Sequence, residues 1–296
     1  FSRTKHAADA AIAKSGLPFV ILRPGFVVAP AAYGGSALMR ALAVLPFRLS
    51  DADASRVFAS VDVADIARTI AVLVHRWQAG ERQWSATWDL MERKPRTLGG
   101  VVAAFRRRFG VPEPRVHLPG WLINAGARLG DLAALLGWSP PIRTTALAEM
   151  RRGVDGDPGI WIGETGIEPL PLEETLSHLP PTVQEKWFAR LYLLKPLALG
   201  CLSLFWIASG LIALLPAFWP ATTILMEHGF APSIAVLVTV ASSLADILVG
   251  AGIAVRRTCR TALIAGIALS LFYMLGAAVI TPDMWIEPLG ALVKRA

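Results

Sequence analysis

Between Lys195 and Glu227 the chain carries no charged residue, and residues 197–215 are almost continuously apolar. Two further runs follow, 233–255, interrupted only by Asp246, and 262–280, with no charge. About 20 apolar residues, at roughly 1.5 Å each, match a hydrocarbon core roughly 30 Å thick. The three runs therefore predict three membrane-spanning helices. Buried helices of a large soluble core would keep a polar stripe and capping residues, and these runs show neither.

Upstream the pattern changes. Ser2 to Ser15 reads as an Ala-rich helix stopped by Gly16, followed by Phe19-Val20-Ile21-Leu22, a short apolar run of the kind buried in a parallel sheet. Arg23-Pro24-Gly25 breaks that run. Residues 36–45 predict a helix, 57–59 a strand, 61–77 a helix with Asp62 as its cap, and 87–90 a strand. Thr97 caps a helix reaching Phe109. Helices alternating with short buried strands predict α/β architecture. Residues 112–181 are richer in Pro, Gly and Trp. Within them 120–136 is apolar, but Arg128 and Asp131 sit mid-span, which favours an interfacial or substrate-lobe helix over a membrane span. Three domains follow: 1–111, a 112–189 lobe or linker, and a 190–296 membrane bundle.

Composition narrows the class. With 54% hydrophobic and 17% charged residues, the chain is neither disordered nor an ordinary soluble domain. Its net charge of +7 is spread out, with 22 basic and 18 acidic residues in 1–189 and 7 and 4 in 190–296. The one dense cluster, Arg106-Arg107-Arg108, reads as the polar face of a helix, so no nucleic-acid partner is expected. A basic chain with membrane spans suits anionic headgroups. Two cysteines exclude a disulfide framework and a four-thiolate zinc site, and the five scattered histidines predict no metal site.

The loops give an orientation. Arg256-Arg257-Thr258-Cys259-Arg260 is strongly basic, whereas 216–232 has no Lys or Arg, so the positive-inside rule places 256–260 and everything before the first span in the cytoplasm. A multi-pass protein of the inner (plasma) membrane is expected, with 282–290 outside. Lys294 and Arg295 then fall on the wrong side, which a re-entrant turn would resolve. Phe1 opens directly into a helical pattern. Arg3, Lys5, His6 and Asp9 exclude a signal peptide there, and the far end reads as the approach to another apolar segment. The chain is thus expected to be an internal part of a longer protein.

Three motifs in order carry a resemblance: Phe1-x-x-x-Lys5, Ile21-Leu22-Arg23-Pro24-Gly25-Phe26-Val27, and Phe58-x-x-Val61-Asp62-Val63-Ala64. Together they resemble the C-terminal half of atypical or extended short-chain dehydrogenases (NAD-dependent epimerase/dehydratase-like), in which a Tyr-x-x-x-Lys helix precedes an L-R-P-G strand end. Trp285-x-x-Pro288-Leu289-Gly290-x-Leu292-x-Lys294 after an apolar helix resembles the DoxX-like membrane family, and Trp187 to Pro196 resembles the junction in bacterial fusions of the two. The resemblance implies the C-terminal half of a Rossmann-like NAD(P)-binding domain followed by a helical transmembrane bundle. It implies NAD or NADP as cofactor, with Lys5 on the nicotinamide ribose and Pro24, Gly25, Phe26 and Val27 along the nicotinamide ring. Lys5 would also lower the pKa of the adjacent phenol, but Phe1 stands at that position and has no proton to exchange. The pyrophosphate-binding glycine turn would lie upstream of Phe1. The alternative for Lys5 is a solvated charge on a helix face.

Asp246 is the sharpest residue of the apolar part, since an acid at mid-span normally faces a partner or cavity. It reads as a proton relay or quinone contact, or as a packing hydrogen bond to Ser242, Ser243 or Tyr273. Gly250, Gly252, Gly266 and Gly276 suit close helix packing. Three functions stay open. The first is a membrane-anchored NAD(P)-dependent oxidoreductase or epimerase-like enzyme, its site held near a lipophilic substrate or quinone. The second is an inactive NAD(P)-binding regulatory or scaffold subunit, and the third a quinone-linked DoxX-like redox subunit.

Overall fold

The computed structural model describes residues 2–117, 119–180 and 182–280, so Phe1 and the Trp285–Lys294 motif lie outside the described residues. The chain divides into two compact units, Phe1–Gly130 with Pro141–Tyr192, and Asp131–Pro140 with Leu193–Ala296.

The first unit opens with α1 (Ser2–Ala13), β1 (Phe19–Pro24), β2 (Phe26–Val28), α2 (Gly35–Val44), β3 (Phe47–Arg48) and α3 (Asp51–Ala54). It continues through β4 (Val57–Phe58), β5 (Ser60–Asp62), α4 (Val63–Gln78), β6 (Ser85–Leu90), β7 (Arg96–Thr97), α5 (Leu98–Arg108) and β8 (Val116–His117). Helix α6 (Gly120–Leu135) contains the boundary between the units, and α7 (Thr144–Arg152), α8 (Gly159–Thr165), α9 (Leu172–His178) and α10 (Val183–Leu191) complete the first. The strands pair in twos: β1 with β6, β2 with β5 and β3 with β8 in parallel, β4 with β7 antiparallel. The run predicted as one strand over 57–59 is split, because the Ala59 amide bonds Val154 and its carbonyl accepts from Phe26, leaving β4 and β5 separate partners.

Local chemistry explains the helix starts. The Asp62 carboxylate accepts from the Ala64 amide at 2.9 Å, and the Thr97 hydroxyl from the Gly100 amide at 3.1 Å, each meeting a donor with no intrahelical partner. The core of α2, α5 and α9 is apolar, with Leu98, Val101, Phe105 and Leu172 fully buried.

Arginines organise the same core. The wholly buried Arg40 bonds Glu185 at 2.9 Å, donates to the Ala29 and Ser36 carbonyls, and lies 5.0 Å above the Phe105 ring. The basic cluster of α5 departs from its reading as a polar face. Only Arg107 behaves so, meeting Glu173 at the surface. Arg106 is buried and donates to the carbonyls of Leu42, Leu45 and Pro112. Arg108 donates to those of Leu176, Leu179 and Pro180 and reaches Glu185. Turns entering a core expose carbonyls that need donors, and a guanidinium supplies several from one side chain.

The second unit holds α11 (Leu194–Leu214), α12 (Phe218–Glu227), α13 (Pro232–Ala254) and α14 (Cys259–Ile280). Three of its helices are long and apolar enough to cross a membrane, where the sequence predicts them. The segment 216–232, expected as a loop, contains α12. Its Pro220 falls in the first turn, where a missing N–H costs nothing, and Gly229, at φ 87°, closes it. The Thr222 hydroxyl, fully buried, bonds back to Phe218 and Trp219.

Two predictions follow from the polar core. Arg40→Ala leaves Glu185 buried with one partner fewer, and we expect a loss of about 3–5 kcal/mol, read as a lower apparent Tm, with Arg107→Ala near neutral. Burial alone would raise the Asp53 carboxyl, but hydrogen bonds from Arg151 and Ser50 outweigh it and hold its pKa below the usual aspartate value. Stability from Asp53 is therefore full above the unfolded pKa, about 3.9, and is lost as pH falls through the folded one. Asp53→Asn should flatten that acid limb of a Tm-versus-pH curve.

Candidate functional site

Among the described residues, each unit contains one candidate constellation. In the first unit it is the carboxyl edge of β1 and β2. The link from α1 to β1 turns at Gly16, whose φ of 70° suits glycine, and sends the strand back antiparallel to the helix. Arg23 accordingly meets Asp9 at 3.1 Å. Lys5 lies one turn before Asp9 on α1. Its side chain is exposed. The Arg23–Asp9 pair is the described contact that ties α1 to the end of β1.

The backbone of that segment is largely committed. The Gly25 amide donates to Leu90 at 2.9 Å and the Phe26 amide to Ala59 at 2.8 Å. A Cβ at Gly25 would stand 2.6 Å from the Ala59 carbonyl oxygen, so glycine is required there by strand packing itself. Phe26 packs on Phe58, ring centroids 5.2 Å apart, and Val27 packs against the cluster of Val61, Trp88 and Trp161. At the end of β6, Asp89 accepts from the Asp157 amide, and the buried Glu92 accepts from both the amide and hydroxyl of Ser60, at 3.0 and 2.7 Å. These acids hold loops in place. Sequence reasoning passed over Tyr33, which stands 89% exposed on the loop leaving the carboxyl end of β2 and is the sole tyrosine in residues 1–189. A large aromatic between Ala-Ala and Gly-Gly was the available signal.

In the second unit the constellation is Asp246, 7% exposed at mid-α13. The Tyr273 hydroxyl of α14 lies 2.8 Å from Asp246 Oδ1 and 3.2 Å from the Ser242 carbonyl, and its single proton serves one acceptor at a time. Gly210 of α11 lies against the same residue. Three helices therefore converge on one acid. They can do so because small residues line the crossings: a Cβ at Gly250 would come within 2.8 Å of the Ile207 amide and the Ser203 carbonyl oxygen, and one at Gly210 would stand 3.1 Å from Asp246 Cβ and closer still to the Ser243 carbonyl. The Ser203 hydroxyl donates to the Gly250 carbonyl at 2.8 Å across the same contact. Gly252 and Gly266 likewise meet Ala262 and Val249, whereas Gly276 has open space around it. Gly210, absent from the sequence-based set, is the closest of these approaches to the acid.

One turn from this cluster, a cleft of about 340 Å³ is lined by Trp206, Ile253, Leu263, Gly266 and Ser270. Its walls are almost wholly apolar, so it suits a hydrocarbon chain, and Ser270 stands one turn before Tyr273.

Residues 203–296 match the model of the DoxX-like family. No curated protein matches the chain. Among solved structures, the crystal structure of gox2253 is similar at a TM-score of 0.39 and 20% identity, the match covering 59% of this chain and 52% of that one. The protein thus carries a DoxX-like domain over 203–296, with helices suited to a bilayer.

The packing predicts unequal tolerance among the glycines. Gly250→Leu forces α11 and α13 apart and should abolish the folded, monodisperse protein in detergent. Gly276→Leu should leave the elution profile unchanged.

Proposed function

We propose that this protein is a membrane-anchored, NAD(P)-binding oxidoreductase or epimerase-like protein of the atypical short-chain dehydrogenase type. Its soluble unit would be the C-terminal half of a Rossmann-like domain facing the cytoplasm, where the basic 256–260 turn would also lie. The observation that supports this reading is the Arg23–Asp9 ion pair, which runs β1 back along α1, so that Lys5, one turn before Asp9, would fall near Pro24-Gly25 at the carboxyl end of parallel strands. That edge is where open α/β sheets bind ligands.

The residues fit one portion of the cofactor. Lys5 would hold the nicotinamide ribose, and Pro24, Gly25, Phe26 and Val27 would flank the ring. Since the amides of Gly25 and Phe26 are already bonded, the segment would contribute carbonyls and shape. A bound nicotinamide supplies the hydride donor or acceptor. The proton that Phe1 cannot exchange would fall to another group, and Tyr33 is the phenol exposed at the same edge.

For the full-length protein in lipid nanodiscs, Lys5→Ala should weaken NADH or NADPH affinity about tenfold, the loss of about 1.4 kcal/mol expected from one charge-assisted hydrogen bond. Turnover with carbonyl or quinone acceptors should fall with it. Tyr33→Phe should lower turnover and spare affinity if Tyr33 is the proton source. Affinity loss without turnover from any acceptor would favour the regulatory subunit. No binding of either nucleotide by the unmutated protein would contradict the reading.

A second reading has its own support in Asp246. A hydrogen-bonded acid and phenol beside an apolar cleft suit a quinone or another lipophilic molecule with a polar head. The DoxX-like bundle would then be the working part and the soluble unit its regulator. On this reading Asp246→Asn abolishes quinone-dependent activity in protein that still folds. Unchanged activity would leave Asp246 as a packing residue.

A further inference from the structure

We propose that α6 is a bilayer-surface helix, its exposed apolar face seated at the headgroup–acyl boundary on the side of the basic α13–α14 turn. Trp121 is 68% exposed, Leu129 65% and Leu135 85%, and Leu122 and Leu132 are exposed with them. At helical spacing, Trp121, Leu122, Leu129 and Leu132 share one side. The other side is spoken for: Ala127 and Gly130 are buried, and Gly130 abuts the Ile142 carbonyl so closely that a Cβ has no room. Asn124 and Arg128 are exposed beside the apolar stripe. A helix with one face packed and a second, large apolar face uncovered needs an apolar partner.

The turn that ends α6 identifies that partner. The Arg256 amide donates to the Leu136 carbonyl at 3.0 Å, the Arg256 guanidinium to Gly137 at 3.3 Å, and the Trp138 indole to the Ala254 carbonyl at 2.7 Å. Ala254 is the last residue of a helix long enough to cross a membrane. The carboxyl end of α6 is therefore held at the depth where a span leaves the lipid, and the apolar face begins there. Arg256, Arg257 and Arg260 at that level are exposed cations suited to anionic headgroups. A separate helix repeats the pattern. On α10, Val183, Trp187 and Leu191 are exposed at four-residue spacing beside Lys186 and Arg190, and the chain passes from it into α11. This inference rests on the membrane bundle and is independent of nucleotide binding.

The test is spin-label accessibility on the full chain in phosphatidylethanolamine–phosphatidylglycerol vesicles. The background is Cys201→Ser, with the buried Cys259 left in place and an unlabelled-site control. Labels at Leu129→Cys and Leu132→Cys should relax several-fold more with oxygen than with a water-soluble nickel chelate, and a label at Asn124→Cys should show the reverse. Trp121→Cys provides another position on the same face should either leucine variant fail to fold. Nickel preference along the face would overturn the proposal, because the face would then lie in water. Low accessibility to both reagents would also overturn it, because protein, such as a second copy, would then cover the face.

Discussion

Hydrocarbon offers no hydrogen bonds, so every polar group a spanning helix carries must be satisfied from within the bundle. The second unit is organised by that constraint. Hydroxyls of Thr239, Ser243 and Ser270 turn back onto carbonyls one turn earlier in their own helices. Ser203 bonds across to Gly250, and Asp246 draws the Tyr273 hydroxyl from α14. Glycines at 210, 250, 252 and 266 permit the close approach these bonds need. An acid kept under such conditions is either the pin of the bundle or its working group, and both roles demand the same tight crossing.

The first unit meets a related demand by different means. Its core contains turn carbonyls and largely buried acids, among them Glu92 and Glu185, served by arginines and a serine. Arg40, Arg106 and Arg108 serve the carbonyls around α2, α5 and α9, and Ser60 serves Glu92. Glu185 receives both Arg40 and Arg108, fixing α10 against this core just before the chain enters α11. The proposed nucleotide site draws instead on the exposed Lys5 and the 24–27 segment.

Much of this is legible in the chain itself. Apolar run length locates the spanning helices, and Asp62 and Thr97 mark helix starts because an N-cap needs only a short acceptor at one position. The short-range signals fail where long-range pairing decides. Nothing near Arg106 or Arg108 reveals that carbonyls many residues away will need their donors, and Ala59 divides a predicted strand because Val154 and Phe26 claim its two backbone groups. Helix α12 escapes detection because an uncharged stretch containing Pro220 resembles a loop until the proline's place in the first turn is known. At the candidate sites, the mid-span acid itself points to Ser242, Ser243 or Tyr273 as its partner, and Tyr273 is the one it meets. The pairing of Arg23 with Asp9 depends on the direction of β1 relative to α1, which no local signal gives.

The most direct test of the central claim is amide hydrogen exchange of the full-length protein in nanodiscs, with and without saturating NADH or NADPH. A dinucleotide held at the carboxyl edge of β1 and β2 should slow exchange in α1 and in the loop after Val28, and leave α13 and α14 unchanged. Protection confined to the membrane helices, or none anywhere at saturation, would contradict the account.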